Sequence, residues 1–396
     1  MLESSPIARN TPSPERVALT ALSLTNLRNY AALNVAFDAG LVVLTGENGV
    51  GKTNLLEAIS LLTPGRGLRR ASFEEIRRIG GSSGWAVAAT LRRDGEETRL
   101  GTGLIENVNG EARTRSVRVN GAPASGADAL LEHLRVLWLT PAMDGLLTGP
   151  AGERRRFLDR LVLTIDAAHG KRVRGFEKLL TQRNRLLDDN SSAAWIDAVE
   201  AELAGHAVAV ALARAETTAL LSARVIRRDL EASPFPPGRI NLSGDFDREV
   251  AGRSAVETEL WYRRALAENR ASDRAAGRAL IGPQRSDLQI IFAEKDMPAA
   301  LSSTGEQKAL LIGLILAHAE LVAEMSGMTP ILLLDEVAAH LDAGRRAALF
   351  SRLAELGGQT FVTGTDPSLF EAAGGTAAMF RVAAGRVERS GFGATG

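Results

Sequence analysis

An α/β fold that carries an antiparallel β subdomain and is interrupted by an inserted helical arm is predicted by three features of the sequence. The first is a strand–loop–helix unit. The apolar run LVVLT at 41–45 leads straight into Gly46-Glu47-Asn48-Gly49-Val50-Gly51-Lys52-Thr53, and NLLEAISLL follows with Leu55, Leu56, Ile59 and Leu62 at helical spacing. The second is a return of α/β patterning far downstream, where an apolar helix over 305–324 precedes the run ILLL at 331–334 and FVTGT at 361–365. The third is a change of composition between the two. After Gly149-Pro150 the chain turns to Ala-, Leu-, Arg- and Glu-rich stretches at 153–189 and 193–230. One discontinuous head, 17–150 plus 277–396, is therefore expected to be split by a helical domain at 151–276.

In chain order, residues 1–16 lack an apolar signal core and are interrupted by Pro, so they read as a disordered tail and not a targeting segment. VALTALSLT from Val17, LNVAF at 33–37 and LVVLT are Leu- and Val-rich runs separated by turn residues, the pattern of strands. WAVAATL at 85–91 and TRLGTGL at 98–104 flank Asp94-Gly95, and Asn109-Gly110 precedes RTRSVRV at 113–119. Such dipeptides tolerate positive φ, which predicts hairpin turns and an antiparallel meander. In the insertion, Leu158, Leu161, Ile165, Phe176, Leu179 and Leu186 keep close to a three-four repeat, and Ile196, Val199 and Leu203 begin another beyond Asn190-Ser191-Ser192. The spacing predicts two helices of nearly forty residues, each about 55 Å long at 1.5 Å per residue. They form either an antiparallel arm or a cap lying flat on the core. The Pro-rich SPFPPGR at 233–239 closes this region, a helix is expected over 254–276, and IGPQRSDLQIIF reopens the α/β part.

The 396 residues hold 47 basic and 47 acidic side chains, so no overall positive charge draws the chain to nucleic acid; such binding needs charges gathered on one face. At about 150 residues per domain the length allows two or three domains. An apolar fraction of 45% with 24% charged residues is the balance of a folded chain, which excludes disorder throughout. Without Cys there is no disulfide framework, Cys-ligated zinc, iron–sulfur cluster or thiol nucleophile, and a reducing, cytoplasmic setting fits. No run of about 18 uninterrupted apolar residues marks a membrane span.

The segment from Gly46 to Thr53 is a complete phosphate-binding loop in its required setting. Its glycines let successive N–H groups wrap a polyphosphate, and the following helix N-terminus adds partial positive charge. Gly46, Glu47, Asn48, Gly49, Val50, Gly51, Lys52 and Thr53 are thus candidate ATP contacts, with Lys52 on the β and γ phosphates and Thr53 on Mg²⁺. The run ILLL ends in Asp335-Glu336. Asp335 is the expected Mg²⁺ ligand through water and Glu336 the group that polarises an attacking water; the plainer reading of the pair is negative charge at a helix N-terminus. Before it stands Leu301-Ser302-Ser303-Thr304-Gly305-Glu306-Gln307-Lys308, which resembles the ABC-type signature that contacts a nucleotide held by a partner subunit. Ser303 and Gly305 are the matching positions. Ser303 with Glu306 is equally a capping box, and both readings hold together, because a capped N-terminus makes an anion site. Ala339-His340-Leu341-Asp342 resembles the D-loop and carries Asp342. In FVTGTD at 361–366, Thr365 stands where such enzymes have a switch histidine.

A series of segments then resembles the bacterial RecF family of recombination and replication-repair ATPases. They are LTNLRNY at 24–30, GENGVGKTNLLEAISLL at 46–62, GRGLRR at 65–70, LTPAMDGLLTGPAGERRRFLD at 139–159, LLTQRNRLL at 179–187, IGPQRSDL at 281–288 and STGEQKALL at 303–311. The resemblance implies an SMC-like, ABC-type ATPase head with an inserted helical arm, and a weak, DNA-stimulated ATPase, using ATP and Mg²⁺, whose ATP-dependent homodimer is a switch. It also implies binding to double-stranded and gapped DNA and to single-strand/double-strand junctions. The implied partners are RecR, RecO through it, and indirectly RecA, which is loaded at gaps during repair and the SOS response. Two departures limit the transfer: Gln284 and Ser286 replace the family's His and first Asp, and no Gln near Thr140 supplies a further Mg²⁺ ligand.

Between 151 and 190 there are ten basic residues against six acidic ones. Arg154, Arg155, Arg156, Lys171, Arg172 and Arg174 are the candidate DNA contacts, since such a face holds phosphates without reading bases. The plainer reading is a solvated face or Arg pairing across the arm. Arg69 and Arg70 form a second candidate patch or touch nucleotide. Only 5% of residues are aromatic, which disfavours stacking platforms for single strands and makes duplex backbone the expected ligand. Two other classes stay open on the motifs alone: a transporter motor subunit, against which the missing switch histidine counts, and a non-catalytic ATP-binding scaffold, against which Glu336 counts.

Overall fold

The computed structural model describes residues 14–81, 84–105, 114–230 and 234–391. The expected Asn109-Gly110 turn and residues 1–13 of the expected tail lie outside the described residues. The last tail residues are not frayed. Glu15 donates its N–H to Gly327 O at 2.8 Å, accepts from Thr329 N at 3.0 Å, and pairs its carboxylate with Arg93, so its backbone groups are satisfied beside Met328.

β1 (Val17–Leu27) and β2 (Tyr30–Ala36) form a hairpin, and β3 (Leu41–Thr45) leaves it for a second sheet. Beyond α1 (Lys52–Ser60), strands β4 (Trp85–Arg93), β5 (Glu96–Ile105), β6 (Thr114–Val119) and β7 (Ala122–Pro123) complete an antiparallel sheet of order β2-β1-β4-β5-β6-β7. Asp94 and Gly95 turn β4 into β5 with φ of 49° and 87°, as their tolerance of positive φ predicts. A register shift between Leu19 and Ala21 changes the parity of β1, so Val17 and Leu19 face inward before it and Leu22 and Leu24 after it.

β8 (Val136–Leu139) precedes the insertion, which opens with α2 (Ala151–Ile165) and α3 (His169–Asp188). The single helix expected over 153–189 is therefore two. At Asp166 the backbone is extended (φ −109°, ψ 100°), and its carboxylate accepts the Ala168 N–H at 3.0 Å and pairs with Arg172. Such a local side-chain-to-backbone bond competes with the helical ladder, while the apolar spacing carries on across the break. α4 (Ala193–Leu230) is continuous over 38 residues. It is followed by β9 (Gly238–Ser243), α5 (Asp245–Gly252), α6 (Ala255–Glu268) and α7 (Arg270–Ala276), so the helix expected over 254–276 breaks at Asn269.

Arm and cap prove to be two ends of one helix. The first half of α4 packs Val199, Leu203 and Ala207 with Phe176, Leu179, Phe246, Tyr262 and Leu266 in a core of the insertion's own. Its second half puts Leu221 and Val225 into the core of the head. At the outer core Arg183, wholly buried, donates to Glu200 at 2.8 Å, to Asp273 at 2.7 Å and to Leu266 O at 2.8 Å. β10 (Asp287–Phe292) pairs with β9 on one side and β11 (Met297–Pro298) on the other. The strands thus cross the expected boundary at 276, which is not a boundary of packing.

α8 (Thr304–Ser326), β12 (Ile331–Leu334), α9 (Ala343–Leu356), β13 (Thr360–Gly364), β14 (Ala377–Ala383) and β15 (Arg386–Ser390) complete the chain. The second sheet has the order β15-β14-β3-β13-β12-β8 and is parallel except at β15. Both faces are covered, as its unbroken apolar runs require. Val42, Leu44, Leu333 and Phe361 join the core shared with α1 and the antiparallel sheet; Val43, Leu332, Leu334 and Val362 join the core shared with α8 and α2. α8 is long and apolar enough to cross a membrane, but 72% of its apolar window is buried in this second core.

His318 lies on α8 with no exposed surface, its Nε2 3.1 Å from Leu161 O and 2.9 Å from Thr164 Oγ1, and its Nδ1 unpartnered. Burial holds its pKa down to about 3 from an ordinary 6.5. The unfolded chain therefore binds the extra proton between these values, and stability present above pH 6.5 is lost as pH falls towards 3. By pH 5 this loss is about 2 kcal/mol. Thermal melting between pH 7 and pH 5 is expected to show a smaller acid loss in His318→Leu than in the native chain.

Candidate functional site

β3 delivers the loop at 46–51 onto the N-terminus of α1, and the loop depends on glycine at its ends. Gly46 has φ of 148° and Gly51 has φ of 115°. A Cβ at Gly51 would stand 2.5 Å from the Asn29 side chain and 2.8 Å from the Tyr30 hydroxyl. Asn29, in the turn between β1 and β2, and Tyr30, the first residue of β2, hold the loop from behind: Asn29 Nδ2 donates to Val50 O at 2.8 Å and Tyr30 to Gly51 O at 3.1 Å. Lys52 is buried, and its Nζ donates across the loop to Gly46 O at 2.6 Å and Glu47 O at 2.8 Å. Burial lowers its pKa against the opposing pull of Glu336 and Asp335. The ammonium donates to loop carbonyls with the Asp335 and Glu336 carboxylates nearby, and it is the charge placed to meet an anion in the loop.

The two motifs separated by the whole insertion meet here. Thr53 Oγ1 lies 3.0 Å from both carboxylate oxygens of Asp335, and Thr363 Oγ1 donates to Oδ1 of the same group at 2.7 Å. Asp335 is fixed by its position at the end of β12 and by its N–H to Leu139 O at 2.9 Å. Glu336 follows in a left-handed conformation (φ 54°, ψ 19°), its N–H donated to Thr363 Oγ1 at 2.9 Å. Thr363 is a residue that sequence reasoning missed; Thr365, expected at the switch position, follows two residues on and is exposed. The single polar position within the buried run FVTG was the available signal.

A polar network runs from this loop to the segment at 66–70. Asn54 donates to Asn29 at 2.7 Å and accepts from Arg69 at 2.6 Å, while Arg28 grips the buried Glu57 with two bonds of 2.7 Å. The bond to Glu57 raises the Arg28 pKa against the cost of burial. Arg70 pairs with Glu153 at 2.5 Å.

Ser303 caps α8. It accepts from Glu306 N at 3.4 Å, and Glu306 accepts from Ser303 N at 2.9 Å and from Lys295 at 2.5 Å. The Lys295 bond, with the backbone bond from Ser303, brings the Glu306 carboxyl down to about 2. Ser303 and Gly305 are both exposed, Gly305 has open space where a Cβ would stand, and neighbouring Leu301 is 70% exposed. Asp342 caps α9 by accepting from Arg345 N at 2.8 Å, which lowers its pKa.

The expected basic face is smaller than the sequence implies. Arg154 is the clearest correction: its guanidinium grips Asp287 at 2.7 and 2.9 Å and reaches Gly149 O at 2.5 Å, because the turn before α2 and the start of β10 need a shared donor. Two residues in the basic count are interior. Arg183 is buried, and Arg160 lies over the Trp138 ring at 3.7 Å, with burial bringing its pKa down to about 9. Arg155 donates to Ser286 O at 2.7 Å, Arg156 pairs with Glu153, Arg172 with Asp166, and Arg174 with Asp128 at 3.0 Å. Lys171, Arg174, Lys178, Gln182 and Arg185 are exposed at helical spacing along one stripe of α3.

Residues 18–388 match the family model described as the RecF/RecN/SMC N terminal domain. The chain is 55% identical over 375 residues to a DNA replication and repair protein RecF of Mesorhizobium japonicum, covering 94% of this chain and 98% of that one. It is 54% identical over 376 residues to the protein of the same description from Brucella suis biovar 1, covering 94% and 97%. Among solved structures it is similar in fold to one described as the recombination mediator protein RecF-ATPrS in the RecFOR pathway, with a TM-score of 0.82, 24% identity, and coverage of 96% of this chain and 100% of that one. An Smc head bound to the C-winged helix domain of ScpA follows at a TM-score of 0.52 and 16% identity, covering 94% and 96%. A matched phosphate loop and acidic strand, a split head of SMC type and relatives this close along almost the whole chain make it a member of the RecF family of DNA replication and repair proteins.

Proposed function

We propose that this chain is an ATP-driven switch that binds duplex DNA as an ATP-dependent homodimer in the cytoplasm and acts in recombinational repair of single-strand gaps. The observation that carries the reading is the meeting of Thr53 and Asp335, at 3.0 Å, beside a buried Lys52 that donates to the loop carbonyls of Gly46 and Glu47. The loop N–H groups and the α1 N-terminus hold the polyphosphate, and Lys52 turns from Gly46 O and Glu47 O to the β and γ phosphates. Thr53 spends its hydrogen on Asp335, which leaves its oxygen lone pairs for a hard cation, so the donor set suits Mg²⁺ held by Thr53 and Asp335. When bound, that ion neutralises phosphate charge. Glu336 accepts the proton of the attacking water.

Ser303 and Gly305 of the partner subunit complete the site, with Asp342 at the seam; the exposed α8 N-terminus and the exposed Leu301 beside it support a second copy there. DNA phosphates lie along Lys171 and Arg174 of the α3 stripe, with Arg155, Arg156 and Arg172 at its root. Gapped DNA and single-strand/double-strand junctions are the expected substrates. RecR with RecO, and through them RecA loading and the SOS response, are the expected context. The test is sedimentation with ATP, with ADP and with duplex DNA. A dimer is expected with ATP alone. DNA co-sedimentation should fall steeply as salt rises from 50 to about 200 mM, and less steeply when Lys171, Arg174 and Lys178 are all changed to Gln. A monomer at saturating ATP, or DNA binding indifferent to salt, would count against the reading.

A further inference from the structure

We propose that Thr363 is a positioning residue for ATP hydrolysis, whose one hydroxyl sets the Asp335 carboxylate and the Glu336 backbone relative to each other. The inference rests on the ATP reading above and adds to it a residue that no motif marks. Thr363 is 1% exposed on β13, which lies parallel to β12 with Val362 opposite Leu334, so its side chain comes level with the Asp335-Glu336 step. A hydroxyl has one hydrogen to give and lone pairs to accept with. Thr363 uses both functions within this one step: it donates to Asp335 Oδ1 at 2.7 Å and accepts the Glu336 N–H at 2.9 Å.

Each bond answers a specific need. Asp335 is almost wholly buried, and a buried polar group needs hydrogen-bond partners; Thr53 supplies one from α1 and Thr363 one from the opposite side. Glu336 holds a left-handed backbone that is unfavourable for a residue with a Cβ, and its N–H bond to Thr363 fixes that turn. Thr363 therefore links the group expected to hold the cation to the group expected to take the proton. A merely structural Thr would leave hydrolysis unchanged once the fold is intact.

The experiment compares Thr363→Val, which keeps the shape and removes the hydroxyl, with Thr363→Ser, which keeps the hydroxyl. In full-length protein, Thr363→Val is expected to lower kcat by about tenfold to a hundredfold while ATP affinity in EDTA stays near that of the native chain. The added thermal stabilisation that Mg²⁺ gives to the ATP-bound protein should shrink in Thr363→Val and return in Thr363→Ser, as should kcat. Thr363→Cys, with its weak donor, carries the same expectation as Thr363→Val if the latter does not fold. A Thr363→Val protein that turns over within about twofold of the native rate, or a Thr363→Ser protein as slow as Thr363→Val, overturns the inference alone. A native chain that shows neither ATP-dependent stabilisation nor phosphate release overturns the ATP reading first, and this inference with it.

Discussion

Glu336→Gln is expected to bind ATP with native affinity, to release phosphate about a hundredfold to ten-thousandfold more slowly, and to accumulate as a dimer. The substitution keeps length, volume and the backbone N–H that Thr363 accepts, so the left-handed turn at Glu336 survives. What it removes is the ability to take a proton from water. The nucleotide is then expected to be held, unconsumed, between the phosphate loop of one subunit and Ser303 and Gly305 of the partner subunit, which draws the equilibrium towards the closed pair. Sedimentation and single-turnover phosphate release measure the two halves separately. A Glu336→Gln protein that remains monomeric at saturating ATP contradicts the composite site. A variant that turns over at the native rate removes Glu336 from the chemistry.

The second large effect is expected far from the nucleotide. Arg183→Met should destabilise the outer core of the insertion by about 3–5 kcal/mol, read as a fall in the urea midpoint of its unfolding. The guanidinium has no exposed surface and compensates two carboxylates that are themselves buried, Glu200 and Asp273. Arg270 also reaches Glu200, but among the described residues Arg183 is the one cation paired with Asp273. Removing the cation leaves a buried anion, which costs more than the native pair contributes. Changing Asp273 to Asn and Glu200 to Gln in the same protein should therefore recover part of the loss. A single-variant loss below about 1 kcal/mol would mean that water reaches the site.

These two residues show what was legible in the sequence. Glu336 could be read because its chemistry demands a fixed order, an acidic pair at the end of a fully apolar strand, and the phosphate loop stood in the setting that such a pair needs. Arg183 could not: a single Arg among Gln, Asn and Arg on a helix reads as solvated, and only the tertiary fold brings Glu200 and Asp273 to it. The same limit hid Arg154, whose partner Asp287 is 133 residues away. The break at Asp166 was invisible for a different reason. The apolar spacing is preserved on both sides of it, and periodicity reports faces, not continuity. Thr363 was masked by its own suitability for a strand, since a β-branched residue there needs no further explanation. The pairing of β9 with β10 depends on a register that no local pattern encodes.

The division of α4 between two cores has a mechanical consequence. Its inner half rests on α8, the helix that Ser303 caps and whose first turn holds Gly305, and its outer half belongs to a core that stands on its own. A continuous helix of 38 residues is about 57 Å long, so each degree of tilt at the α8 end displaces the other end by about 1 Å. α4 is a lever with a short, buried fulcrum. Any tilt imposed at the α8 end would therefore be magnified along α4 into a larger displacement at its far end.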